Sequence, residues 1–161
     1  MSPAVVLDFP TAFGAVRVTC GPSERLLAGI GFVPGSTGSP PGSGRRLADT
    51  LRALRLPPAR TPFLAAVRSA AQAIPPGKTV TYAELAARAG HPGAARAVGQ
   101  AMARNPFALL VPCHRVVPAS GGQGGYRWGT ERKRRLLEWE RESRREAWEM
   151  PWTGLSNGFR V

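Results

Sequence analysis

This 161-residue sequence is poor in disulfide and metal ligands, since it has only two cysteines and two histidines. Cys20 and Cys113 are too few for a disulfide framework, and neither belongs to a CxxC motif. Adding His91 and His114 does not complete a zinc quartet. We therefore expect no structural metal.

Long apolar runs are also missing. No stretch approaches the length that crosses a bilayer, and residues 1–20 lack the basic-then-apolar layout of a signal peptide. We therefore expect a cytoplasmic protein that does not engage a membrane. The 43% of hydrophobic residues is nevertheless enough to bury a core.

Acidic residues are scarce as well. The chain has 10 Asp and Glu against 22 Lys and Arg, which gives a formal net charge of +12. Cations set against phosphates release condensed counterions, so such a surface favours nucleic acid. Arginines can also simply solvate a protein surface, and charge alone leaves both interpretations open.

Residues 1–56 predict a small α/β lobe. Apolar side chains alternate with small or polar ones in two runs, which predicts a β-hairpin. Residues 34–44 are rich in Gly, Ser and Pro and predict a flexible linker. The hairpin positions are Val16 and Val18, then Leu26, Ala28, Ile30 and Phe32, and a short helix follows with Leu47, Leu51 and Leu54.

Residues 57–144 predict a second, mostly helical domain, so the whole chain is expected to be of the mixed α/β (α+β) class. Two short helices joined by a glycine turn predict a helix-turn-helix, although ordinary helix pairs share this pattern. A last helix is predicted from about Thr130 to Arg144, and residues 145–161 form a tail of unknown role. The earlier helices are delimited by Thr61-Pro62 and Ile74, by the capping box Thr81 to Glu84 and Gly90, and by Pro92 and Asn105-Pro106.

Cys113 is the residue around which chemistry is expected. An apolar, β-prone segment from Phe107 to Val111 leads into it. It is followed by a candidate general base, His114, and by Arg115, whose charge favours a thiolate. Adjacent side chains of an extended segment point to opposite faces, so a direct contact between Cys113 and His114 requires a turn or a bridging water.

Glu140 is a candidate partner for His114. It lies three and four residues after Leu137 and Leu136, so it shares their helix face and is expected to point inward. A buried carboxylate needs a partner, and His114 is suited to that role. The same spacing also fits an exposed i,i+4 pair with Arg144.

Several of these segments closely resemble the catalytic domain of the O6-alkylguanine-DNA alkyltransferases (methylated-DNA–protein-cysteine methyltransferases). Within residues 61–140 the matching segments are IPPGKTVTYAELA, ARAVGQAMARNP, VPCHRVV, GYRWG and KRRLLEWE. TAFGAVRV and LAGIGF resemble that family's N-terminal lobe more weakly. The resemblance implies irreversible, stoichiometric DNA repair by a monomer without a cofactor, acting on O6-alkylguanine in double-stranded DNA.

The resemblance also implies catalytic roles. Cys113 would accept the alkyl group, His114 would deprotonate it through a water, and Glu140 would orient the imidazole. Asn105 would tie the recognition helix to the active-site loop. Tyr82 would lie by the flipped nucleotide and help to supply a proton to the leaving guanine.

Further residues are implied in DNA and base recognition. Arg96 would enter the duplex and fill the space vacated by the extruded base. Small residues on the same helix would allow close approach to the minor groove, and a separate set would line the guanine pocket. The small residues are Ala95, Ala97 and Gly99, and the pocket residues are Met102, Val116, Tyr126, Arg127 and Trp128.

One segment departs from the common family pattern. The family often has glycines after the pocket tyrosine, whereas this chain has Arg127-Trp128-Gly129. The resulting GYRWG segment looks like the C-terminal domain of the bacterial adaptive-response regulator. We expect Arg127 and Trp128 to narrow the mouth of the guanine pocket.

Two other functions compete with this interpretation. A non-catalytic helix-turn-helix protein would bind DNA through its positive charge and would not need Cys113. A Cys-His hydrolase would turn over repeatedly, but such enzymes usually supply their base from a distant part of the sequence.

Overall fold

A computed structural model describes residues 5–9, 11, 14–21, 27–36, 50 and 55–142. The chain divides into two compact units, described separately below. Unit 1 contains Met1–Pro58, Pro106–Leu110 and Trp148–Val161, and unit 2 contains Ala59–Asn105 and Val111–Ala147. The predicted helix around Leu47 to Leu54, most of the linker 34–44 and the tail 145–161 lie outside the described residues.

Unit 1 contains an antiparallel three-stranded sheet in the order β1-β2-β3. The strands are β1 Val5–Phe9, β2 Val16–Cys20 and β3 Leu27–Phe32. Pairing of Val18 with Ile30 confirms the predicted hairpin. Strand β1 was not predicted. Among the described residues it pairs only with β2, and its Val6 and Leu7 are 52% and 41% exposed, so it lacks the alternation that marks a half-buried strand.

The predicted alternation along β3 is wrong at its first positions. Leu27 is buried and Ala28 is exposed, whereas Ala28 was expected on the apolar face with Ile30. The pairing register shifts between Thr19 and Cys20, so that Thr19 faces Gly29 while Cys20 faces Leu27. A bulge of this kind adds one residue to a strand and reverses the faces beyond it.

The segment after Pro106 also belongs to unit 1 and is not a strand. Phe107 forms an isolated parallel bridge with Ile30, whose N–H donates to the Pro106 carbonyl at 2.7 Å. The chain then turns, and Leu109 adopts a φ of 71°. The extended conformation expected for Phe107 to Val111 is therefore wrong beyond Phe107, because a positive φ is incompatible with a strand.

Unit 2 is mostly helical, which with the strands of unit 1 confirms the mixed α/β class. Its short strands, β4 Val80–Thr81 and β5 Val116–Val117, pair in parallel, with Val116 opposite Val80. The part of the chain that the structure describes has no helix of the length and apolarity that a membrane crossing requires. The elements are α1 Pro62–Gln72, β4 Val80–Thr81, α2 Tyr82–Arg88, α3 Ala95–Ala103, a 3-10 turn Cys113–Arg115, β5 Val116–Val117 and α4 Thr130–Glu142.

Local capping sets the boundaries of α2. The Thr81 hydroxyl accepts from the Glu84 N–H at 3.1 Å, and the Glu84 carboxylate accepts from the Thr81 N–H at 2.6 Å, which confirms the capping box. Gly90 has a φ of +79° and ends the helix, with its N–H donating to the Ala87 carbonyl.

Helix α3 begins later than predicted. Pro92 and Gly93 form a turn, and Gly93 has a φ of +86°, which no α-helix accommodates. The helix starts at Ala95 and buries Val98 and Met102. The predicted pair of short helices joined by a glycine turn is thus present, with a longer turn between them.

Candidate active site

Asn105 and the 3-10 turn position the Cys113 thiol. The Asn105 side-chain amide donates to the Val111 carbonyl at 2.8 Å and to the Cys113 Sγ at 3.3 Å. The N–H of Arg115 donates to the Pro112 carbonyl, so Cys113 and His114 lie on a tight turn and not on an extended strand. Cys113 is 5% exposed.

The resting state of Cys113 is the protonated thiol. Burial raises its pKa, and this effect exceeds the opposing effects of the Asn105 hydrogen bond and the Lys133 charge. The thiolate is the nucleophilic form of cysteine. Reaction at this sulfur therefore requires a base that removes the proton.

His114 is placed to be that base. Its Nε2 lies 2.9 Å from the Glu140 Oε1, and both side chains are fully buried. A carboxylate only accepts, so Nε2 carries the hydrogen and Nδ1 presents a lone pair. The Nδ1 atom is buried and has no hydrogen-bond partner among the described residues. Burial lowers the pKa of His114, which keeps the imidazole neutral and able to accept a proton.

Glu140 is a buried carboxylate, so the alternative of an exposed pair with Arg144 is wrong; Arg144 itself lies outside the described residues. Burial by itself raises the pKa of Glu140, but His114 and Arg115 outweigh burial and lower it to about 2. The Gly77 N–H also donates to Oε2, at 2.9 Å. Glu140 is therefore ionised and held by several donors.

Arg115 is a member of this cluster whose position the sequence did not indicate. Its Nε donates to both Glu140 oxygens at 3.1 Å, and its Nη2 donates to Oε1 at 2.7 Å. Its Nη1 donates to the Ile74 carbonyl at 2.6 Å. The expectation that Arg115 supports the thiolate is therefore not met, since its charge is paired with Glu140.

Lys133 supplies the cation that acts on Cys113. Its side chain is fully buried, and its ammonium donates to the Val116 carbonyl at 2.7 Å. Burial lowers its pKa to about 8, against a smaller opposite effect of Cys113. The sequence pattern could have indicated that Lys133 points inward. It precedes Leu136, Leu137 and Glu140 by spacings that place all four side chains on one helix face.

Tyr82 lies between helix α3 and a glycine-rich loop, residues 121–125. A Cβ placed on Gly99 would come within 3.9 Å of the Tyr82 ring, and one on Gly124 within 3.8 Å of its hydroxyl. Burial, and then the charge of Cys113, raise the pKa of Tyr82. The phenol is therefore protonated at neutral pH and can donate a hydrogen bond.

The exposed face of α3 combines a cation with small side chains. Arg96 and Ala97 are exposed, Ala95 and Gly99 are half-buried, and Met102 is buried on the inner face. Arg96 and Ala97 therefore lie outside the buried cluster around Cys113. Such a surface lets another molecule approach the helix backbone closely at a point marked by one guanidinium.

The glycine-rich loop leads into a second group of aromatic residues. The Tyr126 and Trp128 rings meet edge to face at 5.3 Å, and the exposed Arg127 lies 5.8 Å from the Trp128 ring centre. The Tyr126 hydroxyl is buried without a hydrogen-bond partner among the described residues. Burial, and then Cys113, raise its pKa, so this hydroxyl also stays protonated.

These features define a class of protein: one with a buried free cysteine, an adjacent buried histidine that is hydrogen-bonded to a carboxylate, and a pair of short helices in the same unit. Within the described ranges no three His, Cys, Asp or Glu side chains are grouped as metal ligands would be. The family model described as "6-O-methylguanine DNA methyltransferase, DNA binding domain" matches residues 62–142. The chain therefore belongs to the 6-O-methylguanine DNA methyltransferase family.

Individual relatives agree. The methylated-DNA–protein-cysteine methyltransferase of Salmonella typhimurium is 41% identical over 117 residues, 68% of each chain. That of Mycobacterium bovis is 53% identical over 81 residues, 50% of this chain and 49% of the relative, so the chain spans about half of that relative's length. The crystal structure of Mycobacterium tuberculosis OGT in complex with DNA superposes with a TM-score of 0.66 at 34% identity, covering 84% of this chain and 91% of that one.

Proposed function

We propose that this protein repairs DNA by transferring an alkyl group, chiefly methyl, from O6-alkylguanine in duplex DNA to Cys113. The observation that carries the proposal is a buried Cys113 thiol followed directly in the chain by the buried, Glu140-bound His114, whose Nδ1 has no hydrogen-bond partner in the part of the chain that the structure describes. The family membership and the DNA complex of a relative support it.

The chemistry is displacement at a saturated carbon. The Cys113 proton passes to the His114 Nδ1, directly or across one water, and the Glu140 carboxylate stabilises the resulting imidazolium. The sulfur then forms a bond to the alkyl carbon while the bond from that carbon to the guanine O6 breaks. The product is a thioether that water does not cleave, so each protein molecule acts once.

The departing guanine needs a proton or a hydrogen bond as charge develops on it. The Tyr82 phenol is protonated and lies beside the glycine loop, which suits it as the donor. Tyr126 adds a second buried hydroxyl, whose pKa the charge of Cys113 helps to raise. We propose that Val116, Met102 and the segment Tyr126 to Trp128 line the guanine pocket.

The target base must leave the duplex, because its reacting carbon is out of reach inside the stack. Helix α3 suits the minor groove, with Ala95, Ala97 and Gly99 permitting close approach and Arg96 filling the space left by the base. Extrusion costs a few kcal/mol, which the inserted Arg96 and phosphate contacts by other cations offset. Action as a cytoplasmic monomer stays a prediction.

Intact-mass measurement tests this proposal. The chain is incubated with duplex DNA carrying one O6-methylguanine, and stoichiometric gain of one methyl group, mapped to Cys113 by peptide analysis, is expected. Cys113→Ala should gain no methyl group while still binding the alkylated duplex. Cys20→Ala, which removes the other buried thiol, is the matched control and should react like the unmodified chain.

Other outcomes separate the competing functions. Retained DNA binding with no mass change would indicate a non-catalytic DNA-binding protein. Methyl transfer persisting in Cys113→Ala would place the acceptor elsewhere. Binding should also weaken steeply with rising salt and depend little on flanking sequence, since the proposed contacts are mainly to phosphates.

A further inference from the structure

We propose that Arg115 is a positioning residue of this site: its guanidinium orients the Glu140 carboxylate and offsets its negative charge at His114, so that His114 remains a neutral base. The proposal adds a residue to the machinery of the proposed function and rests on that function only for its effect on alkyl transfer. Its effect on His114 is a property of the folded chain itself.

The geometry is that of a fork around one carboxylate. Arg115 donates three hydrogen bonds to Glu140, two from Nε and one from Nη2. The N–H of Gly77, in the turn between α1 and β4, donates a fourth. Arg115 is anchored in turn by the Ile74 carbonyl. The Glu140 Oε1 is thereby fixed 2.9 Å from the His114 Nε2. A bidentate guanidinium sets orientation as well as charge.

The charges that face His114 come from two elements. Helix α4 contributes the Glu140 carboxylate and the Lys133 ammonium, and the 3-10 turn contributes the Arg115 guanidinium. Glu140 favours the imidazolium, whereas Arg115 and Lys133 oppose it. Because the Arg115 charge offsets that of Glu140, the carboxylate can accept a hydrogen bond from the His114 Nε2 while Nδ1 stays unprotonated in the resting state.

Removing the Arg115 charge should therefore raise the pH below which the His114 imidazole is protonated. In Arg115→Met the Glu140 carboxylate has His114 as its remaining side-chain partner among the described residues. The protonation midpoint of His114 should then rise by about 1–3 pH units, the usual effect of an adjacent opposite charge. Each pH unit by which the midpoint exceeds the assay pH lowers the neutral fraction, and with it the transfer rate, about tenfold.

Nitrogen NMR of the full chain labelled at histidine measures this directly. The chain has two histidines, and His91→Gln, which changes an exposed residue, identifies the His114 signals. In the unmodified chain the protonation midpoint of His114 should lie below pH 6.5, and the neutral ring should carry its hydrogen on Nε2. Arg115→Lys keeps the charge without the fork, so it should keep His114 neutral at pH 7 while alkyl transfer falls.

Two further variants keep the test decisive if Arg115→Met does not fold. Glu140→Gln and the double variant Arg115→Met with Glu140→Gln both lack the carboxylate and differ only in the guanidinium. The His114 midpoint should be higher in the double variant. Equal midpoints in this pair, or a midpoint in Arg115→Met within about 0.3 of the unmodified chain, would reduce Arg115 to a structural contact. The titration needs no DNA. A chain that titrates as expected but gains no methyl group would therefore overturn the proposed function and leave the role of Arg115 standing.

Discussion

Replacing Lys133 with Met is expected to slow alkyl transfer without weakening the fold at pH 7. Lys133 is fully buried, with one hydrogen bond from its ammonium to the Val116 carbonyl. Removal of a buried, hydrogen-bonded side chain normally destabilises a protein. Here the charged form of that side chain is itself unfavourable in the folded state, because burial lowers its pKa from 10.5 to about 8.

The magnitude follows from that pKa difference. A decrease of about 2.5 corresponds to about 3 kcal/mol by which the folded state disfavours the ammonium relative to the neutral amine. Met removes this penalty but leaves the Val116 carbonyl without its donor, which costs about 1–3 kcal/mol. The free energy of unfolding of Lys133→Met at pH 7 should therefore be unchanged or up to about 2 kcal/mol higher.

The pH dependence has a definite sign. Between pH 8 and 10.5 the folded chain has released the Lys133 proton while the unfolded chain still binds it, so stability rises with pH. Between pH 8 and 10.5 the free energy of unfolding of the parent chain should rise by about 3 kcal/mol relative to that of Lys133→Met. Below pH 8 the difference between the two should be constant.

Urea unfolding at several pH values between 7 and 10.5 is the assay. Both chains carry Cys113→Ala, so that the thiol does not titrate in the same window. Lys78, the other lysine of the chain, is exposed, and Lys78→Met is the matched control. A Lys133→Met chain that is less stable at pH 7 by more than about 1 kcal/mol, with the same deficit at every pH, would refute the reasoning.

Alkyl transfer is measured with Cys113 intact. Loss of the Lys133 charge should raise the pKa of Cys113, since that charge lowers it in the parent chain. Each rise of one in that pKa reduces the thiolate about tenfold at a fixed pH, and the transfer rate should fall with it. An unchanged rate would mean that the Lys133 charge does not reach the reacting sulfur.

Three further predictions concern the surface and the pocket. Arg96→Ala should slow repair of duplex DNA much more than reaction with a free alkylated base, and equal losses would remove Arg96 from base extrusion. Gly124→Ala should destabilise the fold by about 1–3 kcal/mol, because its Cβ would lie 2.8 Å from the Pro118 Cγ and its backbone has a φ of +61°. A Cβ on Gly125 would meet open space, so Gly125→Ala is the matched control and should be tolerated. Equal urea midpoints for the two variants would contradict this prediction. The parent chain should react readily with O6-methylguanine in DNA. With free O6-benzylguanine it should react about ten- to hundredfold more slowly than its Trp128→Gly variant does. Similar rates with both compounds in the parent chain would show that Trp128 points away from the pocket.

The sequence determined the elements whose signals are local. The capping box Thr81 to Glu84 and the Thr61 cap connect atoms three residues apart, so neighbouring residues are enough to specify them. The hairpin of β2 and β3 also followed from alternation. The same reasoning failed where one residue changes the backbone: the bulge between Thr19 and Cys20 and the positive φ of Leu109 have no signature in an apolar pattern.

At the candidate site, the sequence predicted which residues carry the chemistry, and the tertiary structure decided how their side chains are connected. The motif around Cys113 and the inward spacing of Glu140 could be recognised from residue order. The pairing of Arg115 with Glu140 joins residues 25 positions apart, and the bond from Arg115 to Ile74 joins residues 41 apart. Which buried charges pair, and which cation remains for Cys113, depends on how helix α4 packs against the 3-10 turn. Packing of that kind is set by the whole core of the unit and not by any short run of residues, so only the folded chain assigns Lys133 to the thiol and Arg115 to the carboxylate.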